Sequence, residues 1–268
     1  MERNGMEKTA LADAMLSAAQ LTFARLCREE LGSIGAGNSI GEYAEKRMHR
    51  TIKRFLFDDE TFFERRVPRR DGTLSRFIAD ILTDDGRAFE IQTGDLFPLA
   101  RKMRFYMEES DLRVFVVHPL LAEKHLTRLD AGGAPKERRK SPLHENIFHG
   151  VAELKPFLPY LTSPRLSFRF LFLAAEEYRL PARRRTRRYE CLPTALLDDV
   201  ELNGTADYAA LLPQDLPAEF TAKEFGRVTR LSGYALYDAL AVFCGVGALR
   251  KEGKRGRAFL YLKMSERT

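Results

Sequence analysis

Tryptophan is absent from the 268 residues, and that absence excludes nothing. Other shortages exclude more. The three cysteines, Cys27, Cys191 and Cys244, form no CxxC pair, so a zinc site is not expected. An odd, scattered count fits reduced thiols and a cytoplasmic location. No apolar run approaches the roughly 18 residues that cross a bilayer, and the polar opening MERNGMEK does not read as a signal peptide, so no membrane role is expected. The five histidines, His49, His118, His125, His144 and His149, lack metal-ligand spacing and read as structural or surface residues. There is no Gly-rich phosphate loop, no dinucleotide fingerprint, no Ser or Cys nucleophile motif, no repeat and no extended low-complexity segment.

What is present is enough chain for one large domain or two ordinary ones, with an apolar fraction of 44% that argues against wholesale disorder. Lys and Arg number 44 against 38 Asp and Glu, a net charge of +6 that is compatible with a polyanionic partner. Periodicity predicts a helix over 7–31 with Leu11, Met15, Leu16, Leu21, Phe23 and Leu26 on its apolar side, a packing or homodimerisation element. GSIGAGNS (32–39) reads as a linker, and Ser39 with Glu42 as a capping box opening a helix to about Phe57. Strand-like runs FFERRVP, RFIADILT and RAFEIQTG follow, then a helix over 97–109 with Pro98 in its first turn, then the β-branched RVFVVHPL (113–120). KHLTRLD (124–130) is a shorter strand candidate, 131–142 a loop and 148–161 a broken helix. One more strand is expected within 166–180, and helical fragments near 193–212. The expected class is mixed α/β, divided as 1–38, 39–200 and 205–268.

The stretch FIADILTDDGRAFEIQTGD (77–95) poses the main chemical question. Asp84-Asp85-Gly86 suits a three-residue hairpin loop, a type I turn closed by a left-handed Gly. Such a loop pairs Thr83 with Arg87, Leu82 with Ala88, Ile81 with Phe89 and Asp80 with Glu90. Opposed residues share a face roughly 5 Å apart at Cβ, and Gln92 shares that face by alternation. Two adjacent carboxylates in an apolar hairpin require that one be protonated or that a cation sit between them, and Mg²⁺ is a suitable hard cation. The bland alternative is an edge hairpin with both acids in solvent. In the preceding helix Glu45 lies at the margin of the apolar side formed by Ile40, Tyr43, Ala44, Met48, Ile52 and Phe55. It is able to reach such a site, or else to pair with His49 on the surface.

The order helix–strand–strand–strand–helix–strand, with Glu45, Asp80 and Glu90-Ile91-Gln92 so placed, resembles the PD-(D/E)XK nuclease superfamily over about residues 39 to 130. The resemblance implies a restriction-endonuclease-like core in which Asp80 and Glu90 bind Mg²⁺ or Mn²⁺ and Glu45 assists. Gln92 stands where that family usually has Lys, and Ala79 where it has Pro. Lys102 or Arg101, on the following helix, would then take the role of the missing Lys. The implied chemistry is metal-assisted hydrolysis of a phosphodiester. Gly94, just past the strand, would let a backbone approach closely.

Basic runs point the same way. Arg65, Arg66, Arg69 and Arg70 form one, Lys136, Arg138, Arg139 and Lys140 another, and Arg183, Arg184, Arg185, Arg187 and Arg188 a third. Such clusters attract phosphate backbones, although a solvated surface explains most charge runs. Over 220–263, Thr221 and Glu224 make a capping box, a helix runs to about Arg230, a second spans Tyr234 to Cys244, and the strands ALRKE and RAFLYLK flank a Gly turn. This arrangement resembles a winged helix-turn-helix. The resemblance implies DNA contact through a wing of Arg250, Lys251, Lys254, Arg255 and Arg257, while the second helix carries no Lys or Arg for reading bases. The expected function is a metal-dependent nuclease acting on nucleic acid, DNA before RNA. The alternatives are a non-catalytic DNA-binding protein on the same scaffold and a protein-interaction module.

Overall fold

Short apolar periods set the elements, and the described chain alternates helices with strands. The computed structural model describes residues 2–32, 44–182 and 186–264, with side chains over 13–31, 47–182, 186 and 188–264. The first half runs α1 (Glu2–Gly32), α2 (Ala44–Leu56), β1 (Phe63–Pro68), β2 (Leu74–Leu82), β3 (Arg87–Ile91), α3 (Ala100–Glu109), β4 (Arg113–Leu129) and β5 (Pro135–Lys140). Then come α4 (Ile147–Glu153), β6 (Leu166–Pro181), β7 (Thr186–Leu202), α5 (Thr205–Ala210), β8 (Glu219–Thr221), α6 (Ala222–Thr229), α7 (Gly233–Gly245), β9 (Leu249–Arg255) and β10 (Ala258–Lys263). One sheet has the order β1-β2-β3-β4-β6-β7, with β5 paired to β4; a second has the order β8-β10-β9. β1, β2 and β3 form an antiparallel meander, and β4 lies parallel to β3 after the crossover through α3. Among the described residues no helix is long and apolar enough to cross a membrane.

The chain divides into two compact units that interleave in sequence. The first comprises Met1–Thr61, Pro119–Glu145 and Leu171–Asp199. In it Phe23, Leu26 and Cys27 of α1 and Met48 and Ile52 of α2 are buried, and Phe23 meets Phe55 edge-on at 5.2 Å. The spacing 23, 26, 27, 30 is one helical stripe. It corrects the predicted apolar side of α1, because Met15 and Leu21 are exposed. Arg54 and Glu29 join the two helices at 2.8 Å, and Arg50 pairs with Glu30 beside them. The predicted linker, Ser39 and Glu42 lie outside the described residues.

Three readings along the chain are corrected. KHLTRLD is the continuation of β4 and not a separate strand. The segment 131–142 is not a loop throughout, since Pro135–Lys140 pairs with β4 from Leu129↔Pro135 to His125↔Lys140. Asp130 makes that turn by accepting from the Gly132 and Ala134 amides, both at 2.9 Å, with Gly133 at a φ of 87°. Every β5 side chain is exposed, so no apolar alternation marked the strand. Helix was expected from about 193; instead β7 runs to Leu202, its Leu192 and Leu196 buried, and only α5 is helical there. Strand pairing overrides the helix-favouring Ala-Leu-Leu composition.

The second unit comprises Phe62–His118, Asn146–Phe170 and Val200–Thr268. Its buried residues lie on both faces of the sheet: Ala88 and Glu90 of β3 with Val114 and Val116 of β4 on the side of α3, and Ala79 and Ile81 of β2 with Phe89 and Ile91 of β3 on the other. Arg165 closes the C-terminal end of α3 by donating to the carbonyls of Met107 at 2.7 Å and Ser110 at 2.8 Å, groups that have no partner within a helix. In the C-terminal module the Thr221–Glu224 capping box is formed, the Thr221 amide donating to Glu224 at 2.6 Å. Phe220, Phe225 and Phe243 are fully buried there. α4 belongs to that core as well: Asn146 donates to the Thr229 carbonyl at 2.8 Å, and the Phe148 ring lies 5.9 Å from Phe225.

Candidate functional site

The site begins with a turn. Thr83 donates its amide to the Arg87 carbonyl at 2.9 Å, the Gly86 amide returns to Thr83, and Gly86 takes a φ of 82° that favours glycine. Register follows as the turn dictates, with Leu82 opposite Ala88 and Ile81 opposite Phe89. There the main-chain pairing stops. Instead of a ladder bond, Asp80 Oδ2 accepts from the Ile91 amide at 2.7 Å. The carboxylate of β2 thus substitutes for a backbone acceptor, and its charge still bears on Glu90.

Glu90 points to the side covered by α3 and is 3% exposed. Two residues one helical turn apart on α3 receive it. Lys102 Nζ lies 2.5 Å from Glu90 Oε2, and the Tyr106 hydroxyl donates to Glu90 Oε1 at 2.5 Å. Lys102 also donates to the Ile78 carbonyl on β2, which pins the ammonium over the hairpin. Burial raises the Glu90 pKa to about 7; Lys102 opposes the rise, Asp80 adds to it, and the Tyr106 bond opposes it. The Tyr106 phenol is pushed up by burial and by Glu90. The two carboxylates are therefore held by an ammonium, a phenol and a backbone amide of the chain itself.

Of the predicted site residues, Asp80, Glu90 and Lys102 come together. Gln92 follows on the same strand path, but its amide nitrogen donates to the Asp95 carbonyl at 3.0 Å. Glu45 belongs to the first unit, and its side chain lies outside the described residues. One partner is not evident from the sequence: Tyr106, although it stands one turn beyond Lys102 on the buried side of α3, where a buried hydroxyl needs an acceptor. His118, which with Pro119 ends a strand-like run, donates from Nδ1 to the Gln92 carbonyl at 2.7 Å and fixes the strand end.

The basic residues divide into paired and unpaired. Arg65 meets Asp84 at 2.7 Å, Arg69 meets Glu109 at 2.8 Å and Arg70 meets Asp111 at 2.8 Å. Arg138 meets Glu176 at 2.9 Å. Arg183, Arg184 and Arg185 lie outside the described residues, as does the Arg187 side chain. On the β9–β10 hairpin Arg250 pairs with Glu252, and Arg255 with Glu219 and Glu224. Lys251, Lys254 and Arg257 are exposed and have no carboxylate partner among the described residues.

Mg²⁺ takes oxygen ligands, commonly one or two carboxylates with water completing the shell. Asp80 and Glu90 supply that donor type, so in donor chemistry the two carboxylates fit such an ion, with the Ile91 amide, Lys102 and Tyr106 already bonded to them. Among the described residues there is no group of three or more His, Cys, Asp or Glu that could hold a metal.

The chain belongs to the family described as Domain of unknown function (DUF8091), whose profile matches residues 46–205. It is also similar to an uncharacterized protein of Treponema pallidum (strain Nichols), 25% identical over 231 residues that cover 84% of this chain and 88% of the relative. No solved structure matches.

Proposed function

We propose that this DUF8091 chain is a Mg²⁺- or Mn²⁺-dependent hydrolase of phosphodiester bonds in nucleic acid, DNA before RNA. In this reading the β1–β4 region with α3 is a restriction-endonuclease-like core, and residues 219–263 are a winged helix-turn-helix. The observation that carries the reading is Lys102 meeting Glu90 at 2.5 Å beside Asp80. Two acids and a lysine, drawn from two strands and the crossover helix, are a constellation that hydrolysis can use. The meander, the crossover and the parallel fourth strand support the core assignment. The Thr221 cap, two helices and hairpin support the second.

Asp80 and Glu90 would hold the ion, which when bound supplies Lewis acidity at the phosphoryl group and lowers the pKa of water. Lys102 places a positive charge at the Glu90 carboxylate, where an attacking water or the developing phosphoryl charge would lie. Tyr106 holds Glu90 from the other side, so the carboxylate keeps one orientation. Gln92 turns its amide nitrogen to the Asp95 carbonyl, which leaves its side-chain oxygen to accept from a water.

One observation favours the alternative, a nuclease-like scaffold that binds without cutting. Asp80 Oδ2, Glu90 Oε2 and Glu90 Oε1 are each already engaged by a donor of the chain. Incubating a labelled panel of DNA and RNA with the protein in Mg²⁺ or Mn²⁺ decides between them. Cutting that is lost in Asp80→Ala, Glu90→Gln and Lys102→Ala, with each variant folded, establishes the hydrolase. Absence of cutting, together with no divalent-ion effect on melting temperature, leaves the scaffold reading.

A further inference from the structure

The C-terminal module presents aromatic rings where a surface ordinarily presents charge. Tyr234 is 91% exposed, Tyr237 59% and Phe259 46%. Tyr234 and Tyr237 lie one turn apart and share a face of α7. α7 packs against β9 of the hairpin, and Tyr261 of the neighbouring strand β10 is buried there. Tyr261 pairs across the hairpin with Lys251. The Lys251 ammonium lies 3.5 Å from the centre of the Phe259 ring, and that of Lys254 lies 4.9 Å from it. Aromatic and cationic groups thus run as one strip from α7 onto the hairpin.

The charge of that strip is one-sided. Glu252 is paired with Arg250, Glu219 and Glu224 with Arg255, and Asp238 with Lys155. What remains is Lys251, Lys254 and Arg257, exposed and without carboxylate partners among the described residues. A complementary ligand is a polyanion with flat apolar faces. α7, GYALYDALAVFCG, has no Lys, Arg, Asn or Gln with which to read base edges in a duplex groove. Stacking needs no such groups, because every base has a π-face.

We propose that this strip binds an unpaired nucleic-acid strand, with bases stacked on Tyr234, Tyr237 and Phe259 and phosphates against Lys251, Lys254 and Arg257. The inference shares the nucleic-acid premise of the proposed function and narrows its substrate class, but it concerns binding and not cleavage.

The test is a titration of the full chain in EDTA, where no cutting occurs, with oligo(dT), oligo(U) and a mixed-sequence duplex. With no tryptophan, the emission of the nine tyrosines can be followed for quenching, beside the anisotropy of a labelled strand that reads binding in every variant. Single strands should bind at least about tenfold tighter than the duplex and quench that emission, with the dT and U arms comparing DNA with RNA. Tyr234→Ala combined with Tyr237→Ala should weaken single-strand binding roughly 10- to 100-fold, while the Phe double variant retains it. Both tyrosines are exposed, so these variants should keep the parent's fold, which circular dichroism checks. Duplex binding as tight as single-strand binding, ring variants without effect, or no binding of any probe would each overturn the proposal. A protein that cuts a duplex yet fails this titration loses the inference and keeps the nuclease reading. One that binds single strands and never cuts does the reverse.

Discussion

At the scale of the residue, Glu90 concentrates the physics of the site. Its folded pKa stands near 7 against an ordinary value of 4.5, with burial the first cause. A group whose folded pKa is raised contributes stability fully below the unfolded pKa and loses it as pH rises through the folded one. The metal-free protein should therefore lose on the order of 3 kcal/mol between pH 4.5 and 7 on account of this carboxyl. Urea unfolding of wild type and Glu90→Gln across that window checks it, because the amide cannot titrate. A difference curve flat in pH would mean that Lys102 keeps Glu90 ionised throughout. The same logic gives Lys102→Met two different costs. At pH 8 it strands a buried carboxylate and should destabilise by about 2–4 kcal/mol; at pH 5, where Glu90 carries its proton, the loss should shrink to about half or less. Equal losses at both pH values would show that Lys102 acts through packing alone.

At the scale of the element, the hairpin was the most legible part of the chain. Asp84-Asp85-Gly86 fixed the turn, the turn fixed the register, and the register put Asp80 and Glu90 together. What it did not fix was the donors that meet them. Asp80 captures the Ile91 amide at the point where pairing ends, and Lys102 and Tyr106 arrive from a helix whose rotation about its axis no local pattern specifies. β5 and the helix expected within β7 were misread for a related reason. PKERRK is a strand because β4 lies beside it, and the Ala-Leu-Leu of β7 is extended because a sheet takes it up. Two glycines separate local from tertiary demands. Gly86 has a left-handed φ but open surroundings, with Leu112 at 3.8 Å from an added Cβ, so Gly86→Ala should cost only the conformational penalty of about 1–2 kcal/mol. Gly150, inside α4, would set a Cβ 2.5 Å from the buried Phe170 ring. Gly150→Ala should cost more, about 2–4 kcal/mol, although alanine is the better helix former. Chemical denaturation of the two variants orders them, and the reverse order would mean that α4 can shift away from Phe170.

At the scale of the whole molecule, the net charge of +6 overstates what a polyanion would meet. Much of the basic character is committed inside the chain: Arg65, Arg69 and Arg70 to Asp84, Glu109 and Asp111, and Arg138 to Glu176. A phosphate approaching any of these also meets the carboxylate, which cancels most of the attraction over a Debye length of about 8 Å. The cations of the β9–β10 hairpin differ, because Lys251, Lys254 and Arg257 face solvent without an acid beside them. Counterion release scales with the phosphates neutralised, at about −0.7 per contact on a single strand. Three such contacts set the slope of log affinity against log salt near −2. Fluorescence titrations of oligo(dT) over a range of salt concentrations measure it, and Lys251→Gln with Lys254→Gln should bring it to about −1. A wild-type slope near −5 would show that cations beyond the hairpin, such as the exposed Lys136, Arg139 and Lys140 of β5, also bind phosphate and that the basic runs act together. A slope near −2 that the double variant flattens would place the electrostatic footprint on the hairpin, beside the exposed rings of α7.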